Sequence, residues 1–337
     1  MTTSMKYKSH GVVLMRTLPT KSIFSIALFS LFGFVLSVTQ FFGISPDYPN
    51  YVLFFDLLRY EKFDIFVESR FEPGFSLIAL ALQSFLESDV AVYSSIVASA
   101  LLVKGWVLRL WGVRGISFFV LSAYYFVVFF PLHELTQLRA ACAIALVMTG
   151  AVQIWSGRIG IGLFICGTSL LFHISAAGVI PALFLFFDKR WQVILCGFAV
   201  FVITSAFAAA FTGTLGIYFQ TVGLYQATGF GNDPNPVSVE LLIQWAMVVT
   251  SLLFWQHLTD AMRRIILLEI VGLAIFYGAI EYAVIAHRIR EFYSVFWVFF
   301  LGAGLRNRGT RQLSVGFIAG SIIFYYYNIF VIEAYFK

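Results

Sequence analysis

Runs of about 20 apolar residues recur along almost the whole chain, and a segment of that length crosses the hydrocarbon of a bilayer as one helix. Inside hydrocarbon every backbone N–H and C=O must be bonded within the protein, which leaves only helices or a closed barrel as spanning structures. Barrel strands would alternate apolar and polar residues over about ten positions, and the unbroken apolar blocks here exclude them. Composition agrees: 60% of the 337 residues are hydrophobic, 12% are charged and 39 are Phe, with a mean hydropathy of +0.89. The chain is therefore expected to be an all-α polytopic membrane protein, one integral domain over residues 1–337.

The apolar blocks place spans at roughly 22–43, 90–107, 116–130, 138–156, 159–172, 175–187, 191–211, 239–257, 265–285, 292–305 and 313–331, about eleven crossings within a range of ten to twelve. The block at 73–86 is too short to cross unaided and is expected to be a re-entrant or interfacial segment, part of an outer region at 44–89. The amino terminus, with Lys6, Lys8, Arg16 and Lys21 ahead of a block too long for a signal peptide, is expected in the cytoplasm. On that topology 15 of the 22 Lys and Arg, Lys104 and Arg109 among them, fall on the inner side, whereas 14 of the 17 acids fall outside. Counting 73–86 as a full span would invert the later loops and break this positive-inside bias. The three cysteines, Cys142, Cys166 and Cys196, fall in spans and suggest neither a disulfide nor a metal. The net charge of +5 is spread over short loops with no basic run, which argues against a nucleic-acid partner.

Polar residues that are able to carry chemistry gather on the outer face. Arg139 heads a helix whose next turns hold Ala140, Ala141, Cys142, Ala143 and Ala145, a cation beside an opening. Arg288, Arg290 and Arg70 reach the same face from separate parts of the chain. An arginine cluster suits a diphosphate, because the planar fork binds phosphate oxygens bidentately and stays charged at physiological pH. The competing readings are a snorkelling side chain and plain ion pairing: Arg139 with Glu134 or Glu281, Arg288 or Arg290 with Glu291, and Arg70 with Glu72. His173, at a polar break between two apolar blocks, is a hydrogen-bond donor to phosphate, a proton acceptor, or a structural histidine. Asp47 and Tyr51 stand at i, i+4 and share a face if helical. Asp47 or Glu72 is the expected general base for a sugar hydroxyl. His133 and Gln137, with Tyr51, are candidates for holding the acceptor sugar, and His133 and Glu134 are weaker candidates as bases. The loop at 212–238, rich in Gly with an Asn-Asp-Pro-Asn-Pro run, is a mobile lid or a plain outer connector.

No Walker loop, no His/Cys metal spacing and no paired acids for a nucleotide-bound metal occur, so neither a metal nor another cofactor is expected. Any chemistry would use a lipid-borne substrate, with arginines supplying the charge stabilisation.

Asp47-Tyr48-Pro49-Asn50-Tyr51, Glu72-Pro73-Gly74-Phe75, Gln137 to Ala143, Phe172-His173-Ile174-Ser175-Ala176 and Arg288-Ile289-Arg290-Glu291-Phe292-Tyr293 follow one another in order on one expected face. In this the chain resembles the EpsG-like branch of the Wzy-type polysaccharide polymerases. The resemblance implies a GT-C-like bundle in the bacterial inner membrane, joining oligosaccharide units carried on undecaprenyl diphosphate at the periplasmic face. It implies no cofactor, and as partners the lipid-linked oligosaccharide, membrane lipid and a chain-length regulator of the Wzz type. Ala140 departs from the pattern, in which Gln often follows the arginine. Two other classes compete. A ligase or other lipid-linked glycosyltransferase or acyltransferase usually carries a larger late outer loop. A lipid-linked sugar transporter would place charges near mid-membrane, where only Lys104 qualifies, and would show pseudo-symmetric halves.

Overall fold

The computed structural model describes residues 20–42, 44–45, 47–60, 71–186 and 238–327, and no strand occurs among them. The first group of helices is α1 (Thr20–Val38), α2 (Tyr48–Tyr60), α3 (Pro73–Gln83), α4 (Asp89–Leu110), α5 (Ile116–Val128), the single turn α6 (Phe130–His133), α7 (Leu138–Trp155) and α8 (Ile159–Ser169). Two 3₁₀ segments, Ile174–Gly178 and Pro181–Phe186, follow. The second group is α9 (Val239–Leu253), α10 (Asp260–Gly278), α11 (Ala283–Ser294), α12 (Trp297–Arg306) and α13 (Arg311–Tyr327). The all-helical architecture and its apolar helices are those of a membrane protein. Among the described residues α4 and α7 are by length and composition long and apolar enough to cross a bilayer, and the other apolar stretches, Ser22–Val38 of α1 among them, are shorter.

The centre of the first group is α4, packed against α1 and α7, with α8 returning along α7. Without a hydrophobic force between helices in lipid, small residues set how closely backbones approach. A Cβ on Gly162 would stand 2.7 Å from the Gly150 carbonyl oxygen, so α7 and α8 meet at that glycine pair. In the second group α10 packs on α11 and α12, while α5 packs on α12 and α13 and ties the groups together. The 3₁₀ segments lie between α7 on one side and α10 and α11 on the other.

Three expectations change. The block at 175–187 is not an α-helix but two 3₁₀ segments, the second opening on Pro181, which lacks the N–H that an α-helix would use. At roughly 2 Å per residue the two segments, of 5 and 6 residues, rise about 22 Å together. Their far end lies by the Leu185 carbonyl, which accepts from Arg264 Nη1 at 3.3 Å. That guanidinium lies over Trp155, at the opposite end of α7 from Arg139. Second, the polar stretch 287–291 is not a link but the middle of α11, and the block at 265–285 begins earlier, where the Thr259 hydroxyl caps α10 by accepting from Met262 N at 3.3 Å. Third, α4 runs past the expected end at 107 to Leu110, so Arg109 is buried within the helix and not in an inner loop, and Lys104, inside the expected span, is buried as well. Glu269 is likewise buried in mid-α10. The expected span at 191–211, the loop at 212–238 except Ser238, Cys196 and Arg70 lie outside the described residues.

Candidate active site

The Glu72-Pro73-Gly74 sequence builds the first wall. Pro73 sits at the first position of α3, where its missing N–H costs nothing. Glu72, in extended conformation before it, does not cap the helix with its side chain, so the carboxylate is free to bond elsewhere. Gly74 N donates to the Leu171 carbonyl at 2.8 Å. A Cβ on Gly74 would meet that oxygen at 2.7 Å, so only glycine lets the start of α3 lie against the end of α8. The contact comes two residues before His173, and it brings Glu72 to that histidine. Glu72 Oε1 accepts from His173 Nδ1 at 3.2 Å and from Ile174 N at 3.4 Å. Glu72 Oε2 is paired with Arg139 Nη1.

Arg139 is the second residue of α7. Its guanidinium lies 4.5 Å over the Phe71 ring, a cation–π contact. Tyr51 lies beside it, in a ring cluster with Phe71 at 5.6 Å, Phe75 at 5.7 Å and Tyr93 at 5.8 Å. Arg139 thus pairs with Glu72, while Glu134 is paired with Lys104, and a quarter of the Arg139 side chain (25%) remains exposed.

The electrostatics of the cluster separate its roles. Burial alone would raise Glu72, but the hydrogen bond from His173 and the charge of Arg139 outweigh it and hold its pKa at about 2. Burial pushes His173 below its usual 6.5 against the raising effect of the Glu72 hydrogen bond. An ionised carboxylate only accepts, so the proton of the neutral imidazole sits on Nδ1 and Nε2 carries the lone pair. Glu72 is therefore a poor base but a good orienter, and His173 is the group with a free basic nitrogen.

Helix α11 sorts the remaining arginines. Residues two apart on a helix point about 200° apart, so Arg288 and Arg290 face different surroundings. Arg288 is 30% exposed, stands 3.8 Å from Glu291, and acts electrostatically on Tyr51, His133 and His173. Arg290, only 5% exposed, is paired with Glu240 at 2.7 Å and lies over Phe276. The helix thus turns Arg290 away from the Glu72 cluster, and the expectation that both arginines meet one diphosphate fails on helical geometry.

Asp47 lies before α2, and Tyr51 N donates to its carbonyl at 3.3 Å, so the shared face of Asp47 and Tyr51 forms. Gln137 Nε2 donates to Glu291 Oε1 at 3.1 Å, joining the start of α7 to α11. His133 is fully buried with its ring stacked on Phe129, so it does not reach a surface at which an acceptor sugar could bind. The sequence reading missed Phe71 and Gly74 as builders of the site, although both flank Glu72 and stand in or beside a quoted block.

Among the described residues no group of three or more His, Cys, Asp or Glu side chains is placed to hold a metal ion. No curated protein and no solved structure matches the chain. The EpsG family model, however, matches residues 23–337, nearly the whole length, and all five quoted blocks lie within it; the chain belongs to the EpsG family, a family of Wzy-like polymerases.

Proposed function

We propose that the protein is a polysaccharide polymerase, a glycosyltransferase that joins oligosaccharide repeat units carried on undecaprenyl diphosphate. In this reading it crosses the bacterial inner membrane about eleven times in a GT-C-like bundle, with a cytoplasmic amino terminus and its site at the periplasmic face. The observation that carries the proposal is the convergence of Glu72, Arg139 and His173, with Arg288 nearby, from four separate segments at one end of the bundle.

The chemistry follows from these roles. The acceptor sugar hydroxyl attacks the anomeric carbon of the growing chain's terminal sugar. A new C–O bond forms as the C–O bond to the diphosphate breaks, and the leaving diphosphate keeps the electron pair. His173 Nε2 takes the hydroxyl proton, while Glu72 holds Nδ1–H and stabilises the imidazolium that forms. Arg139 and Arg288 balance the charge that develops on undecaprenyl diphosphate, the role a divalent metal plays in other glycosyltransferases. Asp47, one turn from Tyr51, then serves the acceptor side together with Tyr51 and Gln137.

A lipid-linked sugar transporter is the second reading, favoured by the charges Lys104, Glu134, Glu269 and Arg290 buried within the bundle. Against it, Lys104 is paired with Glu134 and Arg290 with Glu240 in the interior, whereas the part-exposed cations Arg139, paired with Glu72, and Arg288, near Glu291, lie at one end. The test is to incubate the purified protein with defined undecaprenyl-diphosphate repeat units, adding neither nucleotide sugar nor divalent metal, and to resolve the products on a gel. A ladder in wild type that is absent from Arg139→Ala supports the polymerase. No ladder with the organism's own unit, together with movement of that lipid across vesicles, supports transport instead.

A further inference from the structure

Helix α7 carries Arg139 on its first turn, yet nothing local fixes where that turn begins. Gln137 at the helix start makes no side-chain cap. The preceding turn is closed only by its own backbone and by the Thr136 hydroxyl donating to the Pro131 carbonyl at 3.1 Å. Helix starts without a cap fray or slip in register at small cost.

What holds this turn is α4, with the Gln137–Glu291 bond to α11 as a second tie. Tyr93 Oη donates to the Leu135 carbonyl at 2.6 Å and to the Glu134 carbonyl at 3.2 Å. Three helical turns along the same face, Lys104 Nζ is paired with the Glu134 carboxylate and donates to Tyr125 Oη at 2.7 Å. Tyr125 Oη in turn donates to Glu134 Oε1 at 2.7 Å. Lys104 and Glu134 are both completely buried. Burying an ion pair is expensive, and apolar residues of similar volume commonly give equal or better stability. Such a pair is therefore more informative as a device that selects one arrangement than as a source of stability.

We propose that Tyr93, Lys104, Tyr125 and Glu134 are positioning residues for the transfer site. From α4 and α5 they fix the turn at 134–137, and so set the place at which Arg139 meets Glu72. Tyr93 adds a second link, because its ring also packs against Tyr48 at 5.1 Å and Tyr51 at 5.8 Å. The outer tyrosine cluster and the start of α7 are thus referred to the same helix. The inference rests on the polymerase reading for its activity readout and on geometry alone for its structural one.

Removing one member of the pair would strand a buried charge, so the test removes the polar groups together. The variant Lys104→Met/Tyr125→Phe/Glu134→Met is compared with wild type, and Tyr93→Phe carries the same test if the triple variant does not fold. Arg139 placement is read in a chain with Glu72→Cys and Arg139→Cys and with Cys142, Cys166 and Cys196 changed to Ala, by the yield of cross-linking with a bifunctional maleimide. The expected result is a melting temperature within a few degrees of the parent, a cross-linking yield at least about fivefold lower, and, in the otherwise wild-type chain, kcat lowered at least about tenfold with KM changed less than about twofold. Tyr93→Phe is expected to move the same readouts in the same direction by a smaller factor. An unchanged cross-linking yield in a folded variant would overturn the proposal. If wild type makes no polymer while the yield still falls, the polymerase reading fails and the positioning role stands.

Discussion

His173 Nδ1 stands 3.2 Å from Glu72 Oε1 across 101 residues of sequence. The same carboxylate is bound to Arg139 on its other oxygen. One acid therefore joins a base and a cation, and its charge is committed to both. On the proposed reading this arrangement suits the imidazole, and not the Glu72 carboxylate, to proton transfer, where the sequence offered Asp47 or Glu72 as the base.

The pH profile distinguishes the two assignments. His173 is held below 6.5 by burial, so kcat/KM is expected to fall with an apparent pKa below 6.5 as the pH drops and the imidazole takes up a proton. A Glu72 base would instead remain active down toward its own value of about 2. Glu72→Gln removes a group that raises His173, so the acid limb should move to lower pH while kcat drops about 10²-fold. The stability contributed by ionised Glu72 is present above its ordinary value of 4.5 and is lost as the pH falls toward about 2.

Gly74→Ala is expected to damage both stability and turnover. Its Cβ would lie 2.7 Å from the Leu171 carbonyl, and relieving that clash moves Glu72 away from His173. A loss of about 1–3 kcal/mol is expected in thermal unfolding, with kcat reduced more than the melting temperature alone explains.

Arg288 and Arg290 should fail differently. Arg288→Ala removes an exposed cation and should weaken undecaprenyl diphosphate binding by about 1.5–3 kcal/mol, roughly tenfold or more in Kd. Arg290→Ala breaks a largely buried pair with Glu240, should cost about 3 kcal/mol of stability, and should leave the Kd of the folded protein within about twofold. Calorimetry of binding and of unfolding on both variants separates these outcomes.

Much of this site was legible in the sequence because polar residues are expensive in an apolar chain and so stand out. Glu72, Arg139 and His173 were visible as isolated polar positions at the ends of apolar blocks, and the structure brings them together. What stayed hidden was partnership. Nothing in the spacing says that Arg139 pairs with Glu72 in preference to Glu134, since that depends on the close approach that Gly74 permits. The separation of Arg288 from Arg290 required knowing that 283–294 is a helix, which its charges disguised as a loop. Lys104 was legible as a cation within an expected span, but its partner was not, since the buried acid that pairs with it, Glu134, stands 30 residues away on another segment.

The most direct measurement counts products. Purified wild type given defined undecaprenyl-diphosphate repeat units should release one undecaprenyl diphosphate for each unit added to the chain, and Arg139→Ala and His173→Ala should each lower that rate by about 10²-fold or more. Release at the wild-type rate in folded His173→Ala, or chain growth without release of the lipid diphosphate, would contradict the account.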